Sequence, residues 1–505
     1  MKLFIIFLTS ILFTTAATMA GDLESDLEKA LNQRDRNYYL YNNRDVDDLV
    51  PQIGTAGSTT ITTQEERVFG EYFFKKARQL LDIIDDPVLD EYINTLGSKI
   101  VSHANNVHFP FNFFLIKDQT INAAAFLGGN VKVNSGLFNY ADNESQLAAV
   151  LAHEITHVTQ RHLARFIEDA KSRQTKTLGA IVGSVVLALI NPALGMAALN
   201  ATLALNLQNT INYTRSDELE ADHIGIDLLY RAGFDPNQMA EFFSKLTSGS
   251  YRRIPQNLID HPIPEVRVAD ARSRAFRYPQ VKVQENINFY FAKARIFVRF
   301  SKNSGDFCVE HFSELLKKNE HQHKYNKNYL LYGLTLAYIQ NRDYANAKKA
   351  FDRIDQTYRT NLFILDTFSD LELLRGNASE VIRVLTDRLK YTPKSPTVNL
   401  NLAIAYMNAK QHRKAVTLLK ELSKSHPKNL LIQDLLTDCY KALGMKKEYY
   451  IASGSKYALV SDYNRSNMYY NYAYQFATTK LDKAKINAMI VQNEQSRKSD
   501  AQFEN

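Results

Sequence analysis

A helix is predicted to begin directly after Asn143. That residue is followed three positions later by Gln146, a pairing typical of a capped helix start. Apolar residues then recur at spacings of three, four and seven, which places them on one helical face. These residues are Leu147, Val150, Leu151 and Val158.

Helices and short strands are also predicted upstream of this helix. The segment from Gln64 to His103 favours two helices, and the apolar runs at 111–117 and 130–133 favour strands. An exposed strand edge can hold an extended peptide by backbone hydrogen bonds. The residues expected at such a substrate-binding edge are Asn122, Ala123, Gly128 and Gly129. A buried hairpin without a ligand is the alternative.

The last third of the chain repeats with a period of 34 residues, the tetratricopeptide period. Tyr338, Tyr406 and Tyr440 occupy one repeat position, and Pro393 and Pro427 end successive repeats. Stacked helix pairs form a concave surface suited to extended segments of partner proteins. A helical cap that serves only stability is the alternative. The repeats are predicted to start near Asn328, Leu362, Pro396 and Leu430.

The predicted helix after Asn143 carries the motif His153-Glu154-Ile155-Thr156-His157. Residues four apart share one helical face, so the two imidazoles can bind one cation. Glu154 lies beside them, where it can polarise a bound water. The alternative is an amphipathic helix with two solvated histidines.

A third ligand is predicted on a second helix, over residues 215–229, that Ser216 would cap. Glu218 and Asp222 are four residues apart there and share a face. Catalytic zinc commonly takes two histidines and one carboxylate, so we assign Glu218 to the metal. Asp222 would then accept the free N–H of a ligating imidazole. On spacing alone Glu220 or His223 could replace Glu218, and an acidic helix start favoured by the helix dipole would look the same.

These motifs give the chain a specific resemblance. His-Glu-x-x-His followed by Glu218-x-x-x-Asp222 resembles the HtpX and CAAX-prenyl-protease family of gluzincin metallopeptidases. Within it, the chain most resembles the BepA-type periplasmic members, which carry tetratricopeptide repeats. The likeness covers roughly residues 60–285, including 121–137 and 260–267, and continues into the repeats. One departure is Phe126-Leu127, where the family usually has Leu-Pro before the glycine pair.

The expected fold is mostly α (α+β). A gluzincin metallopeptidase domain with a small β-sheet would precede a tetratricopeptide α-solenoid. We expect a signal peptide at 1–20, a flexible leader at 21–60 and the peptidase at 61–285. Linking helices at 286–327 would lead to the repeats and their capping helices at 328–505.

The loop Asp260-His261-Pro262-Ile263-Pro264 is expected to be stiff, because each proline fixes its own φ. The resemblance implies that His261 lies near the metal, where it would either displace the water or share the charge of the oxyanion. A surface histidine is the alternative. Arg267 is expected either to support this loop or to bind a substrate carboxylate.

Composition narrows the functional classes. With 505 residues the chain is too long for one core, and its net charge of +7 is modest. No dense run of Lys and Arg or nucleic-acid motif is present, so no nucleic-acid partner is expected. Cys308 and Cys439 are expected to be buried, unpaired thiols.

Two further segments bear on location. Lys2, the apolar run Leu3–Phe13 and the small residues before Ala20 are typical of a cleaved secretory signal. Residues 178–207 are apolar but broken by Asn191 and Pro192. We expect a mobile hairpin there that covers the cleft or contacts a membrane or an unfolded client. A buried core hairpin and a membrane-spanning helix are the alternatives.

The residues together predict metal-assisted peptide hydrolysis. One Zn²⁺ per chain would be bound by His153, His157 and Glu218, with Glu154 moving the proton of the attacking water. The resemblance implies a periplasmic enzyme with a chaperone-like role, acting on unfolded or stalled outer-membrane β-barrel proteins. It also implies that the repeats bind the barrel-assembly machinery. An assembly scaffold with a largely silent protease is the alternative.

Overall fold

Helices form most of the protein, with one small sheet. The computed structural model describes residues 61–172, 182–183, 215–247, 265–283, 285–322, 326–501 and 503. The predicted signal peptide, the leader and His261 lie outside the described residues, as does the 178–207 segment apart from Val182 and Gly183. Among the described helices, none has the length and apolarity needed to cross a membrane.

The helices that surround the sheet begin at residue 63. Asp86 caps the second of them, and Asn143 caps the fourth through a hydrogen bond from the Gln146 N–H, as the sequence predicts. In chain order they are α1 (Thr63–Leu80), α2 (Pro87–Val101), α3 (Ser135–Tyr140), α4 (Glu144–Thr159), α5 (His162–Ser172), α6 (Arg215–Arg231), α7 (Asn237–Thr247) and α8 (Glu265–Ala275).

The sheet has three strands in the order β1-β3-β2. β1 (Asn112–Ile116) is parallel to β3 (Asn130–Asn134), and β2 (Ala123–Ala125) is antiparallel to β3 with Ala124 opposite Lys132. β2 therefore forms an edge of the sheet. The apolar runs predicted two of these strands, whereas β2 was not predicted as a strand.

A tight turn at 127–129 joins β2 to β3. Gly128 and Gly129 have φ angles of 69° and 79°, a left-handed conformation that favours glycine. Gly70 of α1 packs against the turn so closely that a Cβ there would lie 2.4 Å from the Leu127 carbonyl oxygen. The glycine pair therefore makes this turn, and α1 supports it.

Twelve further helices, most of them arranged in consecutive pairs, are described between residues 287 and 501. Those that open the predicted repeats start at Lys327, Leu362, Pro396 and Leu430, each within one residue of the predicted position. In order the helices are α9 (Ile287–Arg299), α10 (Gly305–Gln322), α11 (Lys327–Gln340), α12 (Tyr344–Asp352), α13 (Leu362–Leu374), α14 (Ala378–Leu389), α15 (Pro396–Asn408), α16 (His412–Ser425), α17 (Leu430–Ala442), α18 (Lys446–Leu459), α19 (Tyr463–Gln475) and α20 (Lys480–Ala501).

One hydrophobic core extends from the sheet and α4 into the first repeats. It is continuous from Ile84 on the N-terminal side to Leu371 in α13. α9 lies within it and buries Phe289, Phe291 and Ile296 completely. The segment expected to contain linking helices therefore contributes to a core that both parts of the chain share.

A fully buried ion-pair network lies inside this core. The Arg295 guanidinium of α9 is 2.8 Å from Asp86, the cap of α2, and 2.5 Å from Asp366 of α13. A second contact links α2 to another repeat helix, because Thr397 of α15 donates a hydrogen bond to the Pro87 carbonyl. The repeats are thus bonded directly to the helix that begins the N-terminal core.

The C-terminal end of the chain returns to α1. The Phe503 ring packs on Phe69 and Tyr72, with ring centroids 5.3 and 4.7 Å apart, and Asp500 accepts a hydrogen bond from Lys75. The two cysteines, Cys308 and Cys439, are buried and unpaired, as predicted. Burial raises the pKa of both thiols to about 11.

Candidate metal centre

Helix α4 places two imidazoles at the centre of the N-terminal core. His153 and His157 are one turn apart on the same face, and their Nε2 atoms lie 3.0 Å from each other. Both residues are buried, with 6% and 2% of their surface exposed. Two ring nitrogens facing each other at this distance in a buried site can share a single cation.

Helix α6 packs against α4 and brings Glu218 to the two rings. Its Oε2 lies 3.5 Å from His153 Nε2, and its Oε1 lies 3.6 Å from His157 Nε2. Donors bound to one tetrahedral zinc at 2.0–2.1 Å lie about 3.3 Å apart. The three separations fit this spacing, and the donor set of two imidazoles and one carboxylate suits a zinc ion that keeps one open position.

Asp222 lies one turn after Glu218 and accepts from the other nitrogen of His153. The distance from His153 Nδ1 to Asp222 Oδ1 is 3.0 Å. Such a contact fixes the tautomer in which Nε2 carries the lone pair for a metal. The structure thus places Asp222 where the sequence analysis assigns it.

Arg267 of α8 holds both carboxylates of α6. Its guanidinium donates to both oxygens of Asp222, at 2.7 and 2.9 Å, and lies 2.6 Å from Glu218 Oε2. Only 3% of Arg267 is exposed. Arg267, which the sequence analysis expects to support a loop or bind a substrate carboxylate, therefore forms ion pairs with the two acids beside the histidines.

The charges in the site set the protonation of His153. Burial lowers its pKa, but the hydrogen bonds and negative charges of Asp222 and Glu218 outweigh this effect and raise the pKa to about 10. The two acids therefore favour the doubly protonated ring of His153, and a metal ion bound at Nε2 would have to displace one of these protons.

Glu154 points toward the edge strand. Its Oε2 accepts a hydrogen bond of 2.8 Å from the Ala125 N–H of β2, and the residue is 2% exposed. The Asn122 carbonyl and the Phe126 N–H bond to β3. Because backbone groups alternate in direction along a strand, the N–H and carbonyl groups of Ala123 and Ala125 point away from β3. Glu154 and the outer side of the edge strand therefore meet beside the two histidines.

Comparison with known proteins identifies the family. The profile of "Peptidase family M48" matches residues 87–275, and a tetratricopeptide-repeat profile matches residues 372–439. The chain is 37% identical over 448 residues to the beta-barrel assembly-enhancing protease of Escherichia coli K12, covering 88% of this chain and 91% of that protein. The chain belongs to peptidase family M48.

Other relatives resemble the chain to different extents. The beta-barrel assembly-enhancing protease of Yersinia pestis is 36% identical over 414 residues, which covers 82% of this chain and 84% of the relative. The mitochondrial metalloendopeptidase OMA1 of Schizosaccharomyces pombe is 30% identical over 155 residues, covering 31% and 43%. The predicted fold class, an M48 metallopeptidase followed by tetratricopeptide repeats, is confirmed, as is the enzyme class.

The two alternative ligands of this M48 peptidase lie elsewhere on α6. Glu220 accepts from His162, and His223 lies 2.7 Å from Asp270 of α8. Spacing could not distinguish these residues from Glu218, because the choice depends on which face of α6 packs against α4. That face is set by tertiary packing.

One residue beside the ligands was not identified from the sequence. His162 Nδ1 lies 2.7 Å from Nδ1 of His157, on the side of the ring opposite the candidate metal position. His162 is 1% exposed. Residues five apart do not share a helical face, so the spacing gave no signal of this contact.

The predicted substrate-binding residues lie around β2. Ala123 is in the strand itself, and the Asn122 carbonyl accepts a hydrogen bond from the Asn134 N–H of β3. Gly128 and Gly129 form the turn after the strand, against α1. Asn122 and Ala123 therefore lie at one end of β2 and the glycine pair follows its other end, on either side of the Ala125 N–H that bonds to Glu154.

Proposed function

We propose that this M48 peptidase is a zinc-dependent endopeptidase of the periplasm, with one zinc per chain. It would act in the assembly and quality control of outer-membrane β-barrel proteins, degrading misfolded or stalled clients. The arrangement of His153, His157 and Glu218 with Glu154 beside them carries the enzymatic part of this proposal.

Support for the biological role comes from the relatives and the sequence. Proteins named beta-barrel assembly-enhancing protease match nearly the full length of the chain, including the repeats. The N-terminal pattern of Lys2 and the apolar run Leu3–Phe13 supports export. The repeats would bind the barrel-assembly machinery, and the apolar 178–207 segment would contact a client or a membrane surface.

The residues of the site divide the chemistry between them. His153, His157 and Glu218 would hold zinc, which polarises a carbonyl and lowers the pKa of a bound water to about 7. Glu154 accepts the proton of the attacking water and delivers it to the leaving amine. Asp222 orients His153, and Arg267 holds Asp222 and Glu218 in place. His261 is proposed to approach the site from its loop.

Substrate would add to the sheet as a further strand. The backbone groups of Ala123 and the carbonyl of Ala125 face away from β3, and an extended peptide would pair with them if this buried edge became accessible. This pairing depends on backbone rather than side chains, which suits unfolded substrates of many sequences. Because β2 is only three residues long, it can pair with only a short stretch of peptide. We therefore propose that the repeats distinguish one client from another.

The test uses the full-length protein with a loosely folded substrate such as casein. Glu154→Gln is expected to lower kcat at least 100-fold while leaving zinc content at one per chain, because a general base contributes at that scale. His153→Ala is expected to lose both zinc and activity. Glu241→Gln, an exposed acid on α7, is the matched control and should cleave normally. Cleavage by Glu154→Gln at the wild-type rate would refute the role of Glu154 as the general base of this site.

A cellular experiment separates the enzyme from a scaffold. In a strain lacking the protein, wild type and Glu154→Gln are compared for the level of folded barrel proteins and for the clearance of a stalled barrel mutant. Loss of clearance alone shows that assembly and degradation are separate activities. Normal clearance by the variant would favour an assembly scaffold with a silent protease.

A further inference from the structure

The two ligand histidines are supported by different chemical groups. His153 donates to a carboxylate, Asp222, which Arg267 fixes in turn. His157 instead contacts a second imidazole, with 2.7 Å between His157 Nδ1 and His162 Nδ1. His162 Nε2 lies 3.1 Å from Glu220 Oε2. A carboxylate, a backbone carbonyl or water is the usual partner of a ligating histidine, so the support of His157 is unusual.

Only one arrangement of protons lets His157 bind a metal here. A ligand nitrogen must present a lone pair, so His157 Nε2 is bare and its Nδ1 carries the hydrogen. His162 Nδ1 must then accept that hydrogen, which places the proton of His162 on Nε2. The carboxylate of Glu220 accepts from Nε2 and selects this tautomer.

The backbone places His162 by a break between two helices. α4 ends at Thr159, and Arg161 adopts a left-handed φ of 56° before α5 begins at His162. Arg161 is held in this conformation by Nε donating to Glu66 at 2.6 Å and by Nη2 donating to the Ile61 carbonyl at 2.6 Å. The turn places the His162 ring against Nδ1 of His157. In a continuous helix, residues five apart would not share a face and the two rings would not meet.

We propose that His162 is a positioning residue of the metal centre. It fixes the tautomer and the ring orientation of His157 through its Nδ1 acceptor, and Glu220 and the Arg161 turn fix His162. This inference rests on the proposed zinc site formed by His153, His157 and Glu218. It assigns to His162 a role in metal affinity, distinct from contact with the substrate.

The test measures zinc affinity of the full-length protein by competition with a chelator. His162→Leu fills a similar volume without an acceptor, whereas His162→Asn returns an acceptor oxygen to the position of Nδ1. Loss of such a supporting group typically weakens metal binding about 10–100-fold, and we expect this for His162→Leu. His162→Asn should bind within about threefold of wild type.

A second readout reports geometry. Co²⁺ bound in place of zinc should show a changed d–d absorption spectrum in His162→Leu and a near-native spectrum in His162→Asn. His223→Leu is the matched control, since His223 is a partly exposed histidine on α6 that pairs with Asp270. Its zinc affinity and Co²⁺ spectrum should match wild type.

The outcomes are separable. Native affinity in His162→Leu, or equal losses in the Leu and Asn variants, overturns the role of the acceptor. If His162→Leu does not fold, Glu220→Ala decides: a loss of about 3–10-fold supports the tautomer chain, and native affinity overturns it. Absence of zinc binding by wild-type protein would refute the proposed metal site itself, and this inference with it.

Discussion

Replacing Arg295 with methionine tests whether the peptidase and the repeats are stabilised by one buried network. Arg295 has no exposed surface, and its guanidinium lies 2.8 Å from Asp86 and 2.5 Å from Asp366. Methionine keeps the apolar length of the side chain but removes the charge. Two carboxylates that are 4% and 0% exposed then lose their main cation.

The expected loss follows from that burial. Removing one partner of a buried ion pair costs about 3–5 kcal/mol, because the remaining charge stays desolvated. Secondary contacts keep the loss within this range: Asp86 still caps α2, and Asp366 still accepts from Asn401 at 2.9 Å. Such a loss is a large part of the 5–15 kcal/mol that stabilises typical domains.

The assay is urea unfolding followed by far-UV circular dichroism, since the chain has no tryptophan. Peptidase activity is measured at the same urea concentrations and should disappear together with the helical signal, because the core is shared. Arg299→Met is the control on the same helix. Its pair with Asp370 is partly exposed, so it should lose less than about 1 kcal/mol.

A triple variant tests the electrostatic explanation. Arg295→Met combined with Asp86→Asn and Asp366→Asn removes all three charges and keeps the α2 cap and the Asn401 contact. It should recover most of the lost stability, as replacement of a whole buried charge cluster often does. A loss in Arg295→Met no larger than that of Arg299→Met would refute the reasoning.

Three further predictions concern stability and are checked by thermal or urea unfolding. Gly70→Ala should lose about 1–3 kcal/mol, since its Cβ would meet the Leu127 carbonyl oxygen at 2.4 Å. Burial, partly offset by Asp142, lowers the pKa of Lys293 to about 8. The stability that Lys293 contributes is therefore present above pH 10.5 and lost as the pH falls through 8. The stability of wild type relative to Lys293→Met should fall as the pH is lowered from 10.5 to 7, while the loss of the Lys293 hydrogen bond to the Ala141 carbonyl shifts the variant by the same amount at every pH. Phe503→Ala should lose about 3 kcal/mol by emptying its site on α1, and no change would show that the C-terminal contact is not stabilising.

Local signals explain what the sequence could predict. The cap at Asn143 and the apolar spacing set α4, so the two histidines and Glu154 had to share one region of a helix. The 34-residue period located the repeat helices to within one residue, because each repeat must bury the same positions. In both cases the determining contacts are close in sequence or repeated along it.

Contacts between distant elements explain what the sequence could not predict. A single arginine in α9 is indistinguishable from a solvated charge until Asp86 and Asp366 are seen beside it. His162 meets His157 only because Arg161 turns the chain. β2 is three alanines long, too short for its alternation to be distinguished from a loop.

The hydrogen bond from Ala125 to Glu154 has a consequence for alignment. The strand that would receive the substrate also anchors the carboxylate that would activate the water. A peptide paired with β2 would therefore be positioned by the same strand that holds the Glu154 carboxylate. A shift of this strand would move substrate and base together, which would preserve the distance between them.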